Sequence, residues 1–129
     1  MKLLLDTHIW LWSRRDPKLI GKRVWAELEN EANELWLSPI STWEALILHR
    51  KGKIVLHADP IHWAEQMVLG FREAPLTHEV VVTAERLQLT HADPADRFLA
   101  ATAKVLALTL VTADPKLLGL GDIATLANR

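Results

Sequence analysis

The sequence contains no cysteine, and this absence removes several kinds of chemistry. Disulfide bonds, thiolate zinc sites and a cysteine nucleophile are excluded, so any reactive group must be an oxygen or an imidazole. There is no glycine-rich phosphate-binding loop, and the glycines mark single turns. The histidines show no spacing typical of a zinc-binding helix, which leaves carboxylates and hydroxyls as the main candidate ligands.

A strong charge of either sign is also lacking. The net charge is -1, so there is no general basic field of the kind that attracts nucleic acid, and a polyanion would have to meet a local patch. The apolar start, "MKLLLDTHIWLW", is interrupted by Asp6 and is not followed by a small-residue cleavage site. It therefore fits neither a signal peptide nor a membrane span, and we expect a cytoplasmic protein with no membrane contact.

Short apolar runs alternate with helical patterns along the chain, and this favours an α/β fold. Half of the 129 residues are hydrophobic, which suits a single domain over residues 1–129. We expect a central parallel sheet of about four or five strands with helices on both faces. The predicted strands lie at 2–5, 34–38, 71–76, 107–112 and 122–126, and the predicted helices lie near 22–32, 42–51, 60–69, 78–88 and 95–105.

Several acidic residues stand where helices begin, and helix capping alone explains each of them. "STWE" places Ser41 three residues before Glu44, the spacing of a capping box. Asp93 precedes a proline as an N-cap does, and Asp96 then falls at the third helical position, where a negative charge is favoured. Asp114 is followed by proline in the same way. Taken singly, each residue has a purely structural interpretation.

Taken together, the acids predict a site. Asp6, Glu44 and Asp114 follow three predicted strands, and connectivity allows Asp96 to point to the same edge of the sheet. In an open parallel sheet that edge is where ligands bind. Converging carboxylates repel one another, and a hard cation such as Mg²⁺ or Mn²⁺ relieves the repulsion. Such an ion polarises phosphoryl oxygens and activates water, so we expect phosphodiester hydrolysis.

The same segments resemble the PIN domain nucleases, and among them the VapC-type toxins of bacterial toxin-antitoxin pairs. "LLLDTH" resembles the family's first acid motif and "LSPISTWEA" its second, while "DRFLAATA" is similar to its third and "LVTAD" to its fourth. The resemblance covers essentially the whole chain and gives catalytic roles to Asp6, Glu44, Asp96 and Asp114. We expect Asp6, Asp96 and Asp114 to hold the metal, and the possible supporting residues are Thr7, Asp93, Arg97 and Thr112.

The resemblance implies a Mg²⁺- or Mn²⁺-dependent endoribonuclease that uses water as its nucleophile. It also implies a homodimer and a VapB-type antitoxin as partner. Asp93 is an extra acid that is open to three roles: a cap, an outer-shell group or a ligand. Arg97 has two possible roles as well, because it can pair with a carboxylate or phosphate or be an ordinary surface arginine.

Two other functions remain open from the sequence. One is a catalytically inactive PIN-like module that binds RNA or protein, with acids that only cap helices. The other is a phosphatase with Asp6 as nucleophile, which is disfavoured because "DTH" has no second aspartate two residues on.

The six tryptophans could stack on RNA bases, but we expect most of them to lie in the core or at an interface. Trp10 and Trp12 are two apart on a predicted helix and cannot share a face, so one of them is a candidate for partner binding. The four tryptophans expected among apolar neighbours are Trp25, Trp36, Trp43 and Trp63.

Overall fold

The computed structural model describes residues 1–56, 59–89 and 93–129. Its strands are β1 (Lys2–Leu5), β2 (Glu34–Leu37), β3 (Arg72–Glu73), β4 (Thr109–Thr112) and β5 (Ala124–Ala127). Its helices are α1 (Thr7–Arg15), α2 (Lys22–Glu29), α3 (Pro39–Arg50), α4 (Pro60–Met67), α5 (His78–Arg86), α6 (Pro94–Leu106) and α7 (Pro115–Leu118), with a 3₁₀ turn at Pro17–Leu19. None of the helices in these described ranges is long and apolar enough to cross a membrane.

The five strands form one parallel sheet in the order β3-β2-β1-β4-β5, which confirms the predicted architecture. In the register of the sheet, Leu4 of β1 lies between Trp36 of β2 and Leu110 of β4. Strands β2 and β3 lie on one side of β1, and the chain then crosses to the other side of β1, where β4 and β5 lie. This reversal opens a crevice beyond the carboxyl ends of β1 and β4, where ligands bind in folds of this type.

Alternate residues of the central strands face opposite sides of the sheet, and each side is covered by helices. On one side Leu4 and Leu110 pack in a cluster that includes Val80 of α5 and Leu99 of α6. On the other side Leu3, Leu5 and Val111 pack in a second cluster with residues that include Ile9, Trp10, Val24 and Ala45, from α1, α2 and α3. The near-continuous apolar runs of β1 and β4 follow from burial on both faces.

Several boundaries differ from those predicted, each for a local reason. Helix α3 begins at Pro39, because the Ser38 side chain accepts a hydrogen bond from the Ile40 backbone N–H and caps the helix. Strand β4 starts at Thr109, because Ala107 adopts a left-handed conformation (φ 54°) that ends α6. The predicted strand at 71–76 is reduced to two residues at the edge of the sheet.

The tryptophan prediction is wrong for one residue. Trp43 on α3 is 57% exposed, whereas Trp10 is fully buried and its indole N–H donates to the Met67 carbonyl at 3.2 Å. Of the α1 pair it is therefore Trp12, half-buried beside His8, that lies nearer the surface.

Candidate metal centre

Asp6 lies directly after β1, at the carboxyl edge of the sheet. It occupies the N-cap position of α1, but its side chain makes no capping hydrogen bond. Instead its Oδ2 accepts a bond of 2.7 Å from the hydroxyl of Thr112, the last residue of the neighbouring strand β4. The Asp6 side chain therefore lies between the carboxyl ends of β1 and β4, and only 7% of the residue is exposed.

Thr112 also connects Asp6 to Asp114. Its buried hydroxyl donates to Asp6 and accepts a bond of 3.0 Å from the Asp114 backbone N–H. Oδ1 of Asp114 accepts from the Lys116 backbone N–H at 2.9 Å, which confirms the predicted N-cap. Asp114 is thus a helix cap that also lies close enough to Asp6 for their charges to interact.

Glu44 is not part of a capping box, and that structural interpretation is wrong. Because α3 begins at Pro39 and is capped by Ser38, both Ser41 and Glu44 lie inside the helix. Oε1 of Glu44 accepts a hydrogen bond from the hydroxyl of Thr7 on α1. Glu44 is therefore held by a contact between two helices, next to the carboxyl end of β1.

Asp93 and Asp96 enter the region from the first turn of α6. Oδ1 of Asp93 accepts from the Ala95 backbone N–H at 3.0 Å, which confirms it as the N-cap, and Asp96 lies in the first turn as predicted. The negative charges of both residues act on Glu44. Helix α6 thus adds two acids to the group formed by Asp6, Glu44 and Asp114.

We call these five acids the carboxylate cluster: Asp6, Glu44, Asp93, Asp96 and Asp114. Burial raises the pKa of Asp6, with the Thr112 hydrogen bond and nearby His8 acting in the opposite direction. Burial also raises the pKa of Glu44, which the Thr7 hydrogen bond lowers and the charges of Asp93, Asp6 and Asp96 raise further. The ionised forms of Asp6 and Glu44 are therefore disfavoured in the folded protein, mainly by burial and further by the neighbouring acids.

Arg97 does not relieve this charge in the way a paired guanidinium would. Its two terminal nitrogens donate to backbone carbonyl oxygens, to Ala84 at 2.9 Å and to Leu89 at 3.0 Å. These bonds join the start of α6 to the end of α5 and to the chain that follows it. These described contacts match neither of the two roles considered for Arg97, a partner of a carboxylate or phosphate and an ordinary surface arginine, because they are those of a partly buried structural arginine.

The donor atoms of the carboxylate cluster suit a hard divalent cation. They are carboxylate oxygens, exposed at Asp93 and buried or partly buried at the other four residues, and their mutual repulsion would be relieved by Mg²⁺ or Mn²⁺. Among the described residues, no group of three or more histidine, aspartate or glutamate side chains is arranged to hold a metal ion. Mg²⁺ requires no such cage, because it keeps several waters and binds through one or two carboxylates. His57 and His91 lie outside the described residues.

One contact in the site was not predicted. The hydroxyl of Ser41, a fully buried residue, lies 2.9 Å from Oγ1 of Thr7, which itself contacts Glu44. The sequence contains the signal, since residues three apart share a helix face and Ser41 precedes Glu44 by three. The same spacing also fits a capping box, but Ser38 followed by Pro39, a cap before a first-turn proline, is the local signal that places the start of the helix earlier.

Comparisons with known proteins agree with this architecture. The family model described as PIN domain matches residues 3–122. Ribonuclease VapC22 of Mycobacterium tuberculosis is 32% identical over 116 residues, which cover 89% of this chain and 88% of that protein. VapBC2 from Rickettsia felis, solved bound to a DNA fragment from its promoter, has a similar fold with a TM-score of 0.74 at 15% identity, covering 98% of each chain.

A second solved structure is that of Mycobacterium tuberculosis VapC20, described as a sarcin-ricin loop cleaving toxin. It has a TM-score of 0.64 at 16% identity and covers 95% of this chain and 98% of its own. At 15% and 16% identity, the two solved structures support only a shared fold. The family model and the VapC22 alignment are matches in sequence. On that sequence evidence, the chain belongs to the PIN domain family.

Proposed function

We propose that this protein is a metal-dependent endoribonuclease of the VapC type, acting as the toxin of a VapBC-type pair through one PIN domain over residues 1–129. The observation that carries the proposal is Asp6, a nearly buried carboxylate that makes no capping hydrogen bond and belongs to a group of five acids whose charges act on one another. Burying a charge is costly, and a bound cation is a simple compensation for it. The name of the relative VapC22, a ribonuclease, supports the choice of RNA as substrate.

In this proposal Asp6, Asp96 and Asp114 hold Mg²⁺ or Mn²⁺, one or two of them directly and the others through waters that the ion keeps, and Glu44 completes the catalytic set. When bound, the ion lowers the pKa of a water molecule and stabilises charge on the phosphate. Thr112 fixes the Asp6 carboxylate through its 2.7 Å hydrogen bond. Glu44, whose pKa is raised by burial, is suited to accept a proton from the attacking water.

The second candidate function is that of a binding module without catalysis, and the acids that cap helices favour it. Asp93 and Asp114 each accept a backbone hydrogen bond at a helix start, as structural acids do. Asp6 and Glu44 argue against this function, because neither of them caps a helix. The two candidates therefore differ in what they predict for Asp6 and Glu44.

The partner and the location belong to the same proposal. We infer a VapB-type antitoxin, a homodimer and a cytoplasmic site of action, as in a toxin-antitoxin pair. An open apolar groove of about 530 Å³ lies between α3 and α4 and is lined partly by Trp43, Ile61 and Phe71. Trp43 and Ile61 are more than half exposed, which is typical of a surface that a partner covers.

The test is cleavage of a mixed RNA pool in Mg²⁺, in Mn²⁺ and in EDTA. We expect cleavage by the wild-type protein in either metal, none in EDTA, and a loss of at least about a hundredfold in Asp6→Asn and Glu44→Gln. Glu85→Gln is the matched control, because it removes an exposed acid of α5 that lies outside the carboxylate cluster. RNA binding without cleavage in either metal would favour the binding module.

A further inference from the structure

The buried hydroxyl of Ser41 has no role in starting its helix. Ser38 caps α3, and Ser41 lies one turn further on with no exposed surface. Its Oγ lies 2.9 Å from Oγ1 of Thr7, a residue that is itself only 1% exposed. Buried hydroxyl groups require hydrogen-bond partners, and the side chains of Ser41 and Thr7 are hydrogen-bonded to each other.

The direction of these hydrogen bonds follows from counting protons. Thr7 is in contact with both Ser41 and Glu44, but a hydroxyl group has only one proton to donate. An ionised carboxylate can only accept, so Thr7 donates to Glu44. The Ser41 hydroxyl must then donate to Thr7, and the three groups form a chain that ends at the carboxylate.

We propose that Ser41 is a positioning residue that acts through Thr7 to fix the orientation of the Glu44 carboxylate. Thr7 follows Asp6 in sequence, so the chain of hydrogen bonds also fixes Glu44 of α3 relative to the end of β1. Successive hydrogen bonds polarise one another, and removal of the first therefore weakens the second. The consequence for catalysis rests on the proposed function, in which Glu44 is a catalytic residue.

A double-mutant cycle between Ser41 and Thr7 tests the proposal. We expect Ser41→Ala to lower kcat for RNA cleavage by about three- to tenfold, the range of one ordinary hydrogen bond, with KM nearly unchanged. In a Thr7→Val background the hydrogen bonds from Ser41 to Thr7 and from Thr7 to Glu44 are already lost, so Ser41→Ala should have no further effect on kcat. The same loss in both backgrounds would overturn the proposal.

A second readout does not depend on cleavage. The NMR signal of the Glu44 carboxyl carbon, measured on the metal-free protein, reports the hydrogen bond that Thr7 donates. We expect Ser41→Ala to move this signal toward its position in Thr7→Val. An unchanged signal in Ser41→Ala would overturn the proposal.

Ser38→Ala is the matched control, because it removes another buried hydroxyl, that of the N-cap residue of α3, together with the bond that it accepts from the Ile40 backbone N–H. It should lower the unfolding temperature without moving the Glu44 signal. If Ser41→Ala does not fold, Ser41→Cys replaces it, since a thiol of similar shape is only a weak donor. A wild-type protein that cleaves no RNA would overturn the proposed function, and the NMR comparison would still decide whether Ser41 positions Glu44.

Discussion

Asp6 differs from Asp93 and Asp114 because its side chain caps no helix. The two caps each accept a backbone N–H at a helix start, whereas the nearly buried Asp6 accepts the Thr112 hydroxyl and makes no capping hydrogen bond. A residue kept in such a position costs stability in the metal-free protein, because burial raises its pKa. Its presence is therefore better explained by a ligand than by the fold.

Replacement of Asp6 should separate stability from activity. Asn is nearly the same size and still accepts the Thr112 hydrogen bond, so Asp6→Asn removes the charge and little else. We expect the metal-free variant at pH 7 to unfold at a temperature equal to or above that of the wild type, while RNA cleavage is lost. Calorimetric unfolding scans beside a cleavage assay would measure both. A variant that is markedly less stable would mean that the Asp6 charge supports the fold.

The stability of the metal-free protein should fall as pH rises. Asp6 and Glu44 have raised pKa values in the folded protein, so the folded state holds more protons than the unfolded state. The fall begins near about pH 4, where unfolded carboxyls titrate, and continues through the raised pKa values. Urea unfolding in EDTA across this range would detect it.

The variant that tests this pH dependence is Asp6→Asn combined with Glu44→Gln, in which the fall should be smaller. Asp122→Asn is a control of opposite sign, since a hydrogen bond from Lys104 lowers the pKa of Asp122. Its contribution to stability is lost as pH falls, so Asp122→Asn should leave the fall at higher pH in place. An equal fall in the double variant would show that other groups cause it.

Helix α6 contributes to the site through its first turn, and Arg97 fixes that turn to α5. Its guanidinium group bridges the carbonyls of Ala84 and Leu89, which a lysine cannot do with the same fixed geometry. We expect Arg97→Lys to lower the free energy of unfolding by roughly 1–3 kcal/mol. Cleavage per folded molecule at low temperature should change far less, because Arg97 makes these contacts with the backbone. Arg86→Lys on the exposed surface of α5 is the control.

The helices and strands could be predicted from the sequence where a local pattern determined them. The apolar runs of β1 and β4 and the Asp-Pro starts of α6 and α7 are such patterns, and the structure contains all of them. The start of α3 was placed wrongly because two local patterns compete there, the capping-box spacing at Ser41 and the cap followed by proline at Ser38-Pro39. The structure has the second, as at α6 and α7, whereas the contacts of Ser41 and Glu44 with Thr7 of α1 are tertiary and no local pattern predicts them.

The same limit applies to the candidate site. Convergence of the acids followed from the order of strands and helices, and the charge interactions among the five acids agree with it. The contacts of Arg97 and the exposure of Trp43 depend on how helices pack. The sequence therefore left the role of Arg97 open and led to the wrong expectation that Trp43 is buried. The metal roles of Asp6, Asp96 and Asp114 stay predictions.

The charge of the whole molecule affects how RNA is bound. The net charge is -1, and two neighbouring arginines already make contacts within the protein, since Arg15 donates to the Val55 carbonyl and Arg14 lies over the Phe71 ring. RNA phosphates must then approach the carboxylate cluster against its own negative charge. A bound cation would reverse the sign of that interaction.

RNA affinity should therefore depend on metal in the wild-type protein. We expect fluorescence polarisation with a labelled RNA to show weak binding in EDTA and tighter binding in Mg²⁺. In EDTA, the Asp6→Asn, Glu44→Gln double variant should bind RNA more tightly than the wild type, because it has lost repulsive charge. Equal affinities in EDTA would mean that RNA binds away from the carboxylate cluster.

The central claim is that the acids at the carboxyl edge of the sheet hold a divalent cation. Anomalous diffraction from crystals grown with Mn²⁺ tests it most directly, because the ion itself is located. We expect a peak at about 2.0–2.2 Å from a carboxylate oxygen of Asp6, the distance usual for such small hard cations, with Asp96 or Asp114 nearby. That peak should be absent from Asp6→Asn crystals. Crystals of wild-type protein with no peak in the crevice, or with Mn²⁺ bound only elsewhere, would contradict the account.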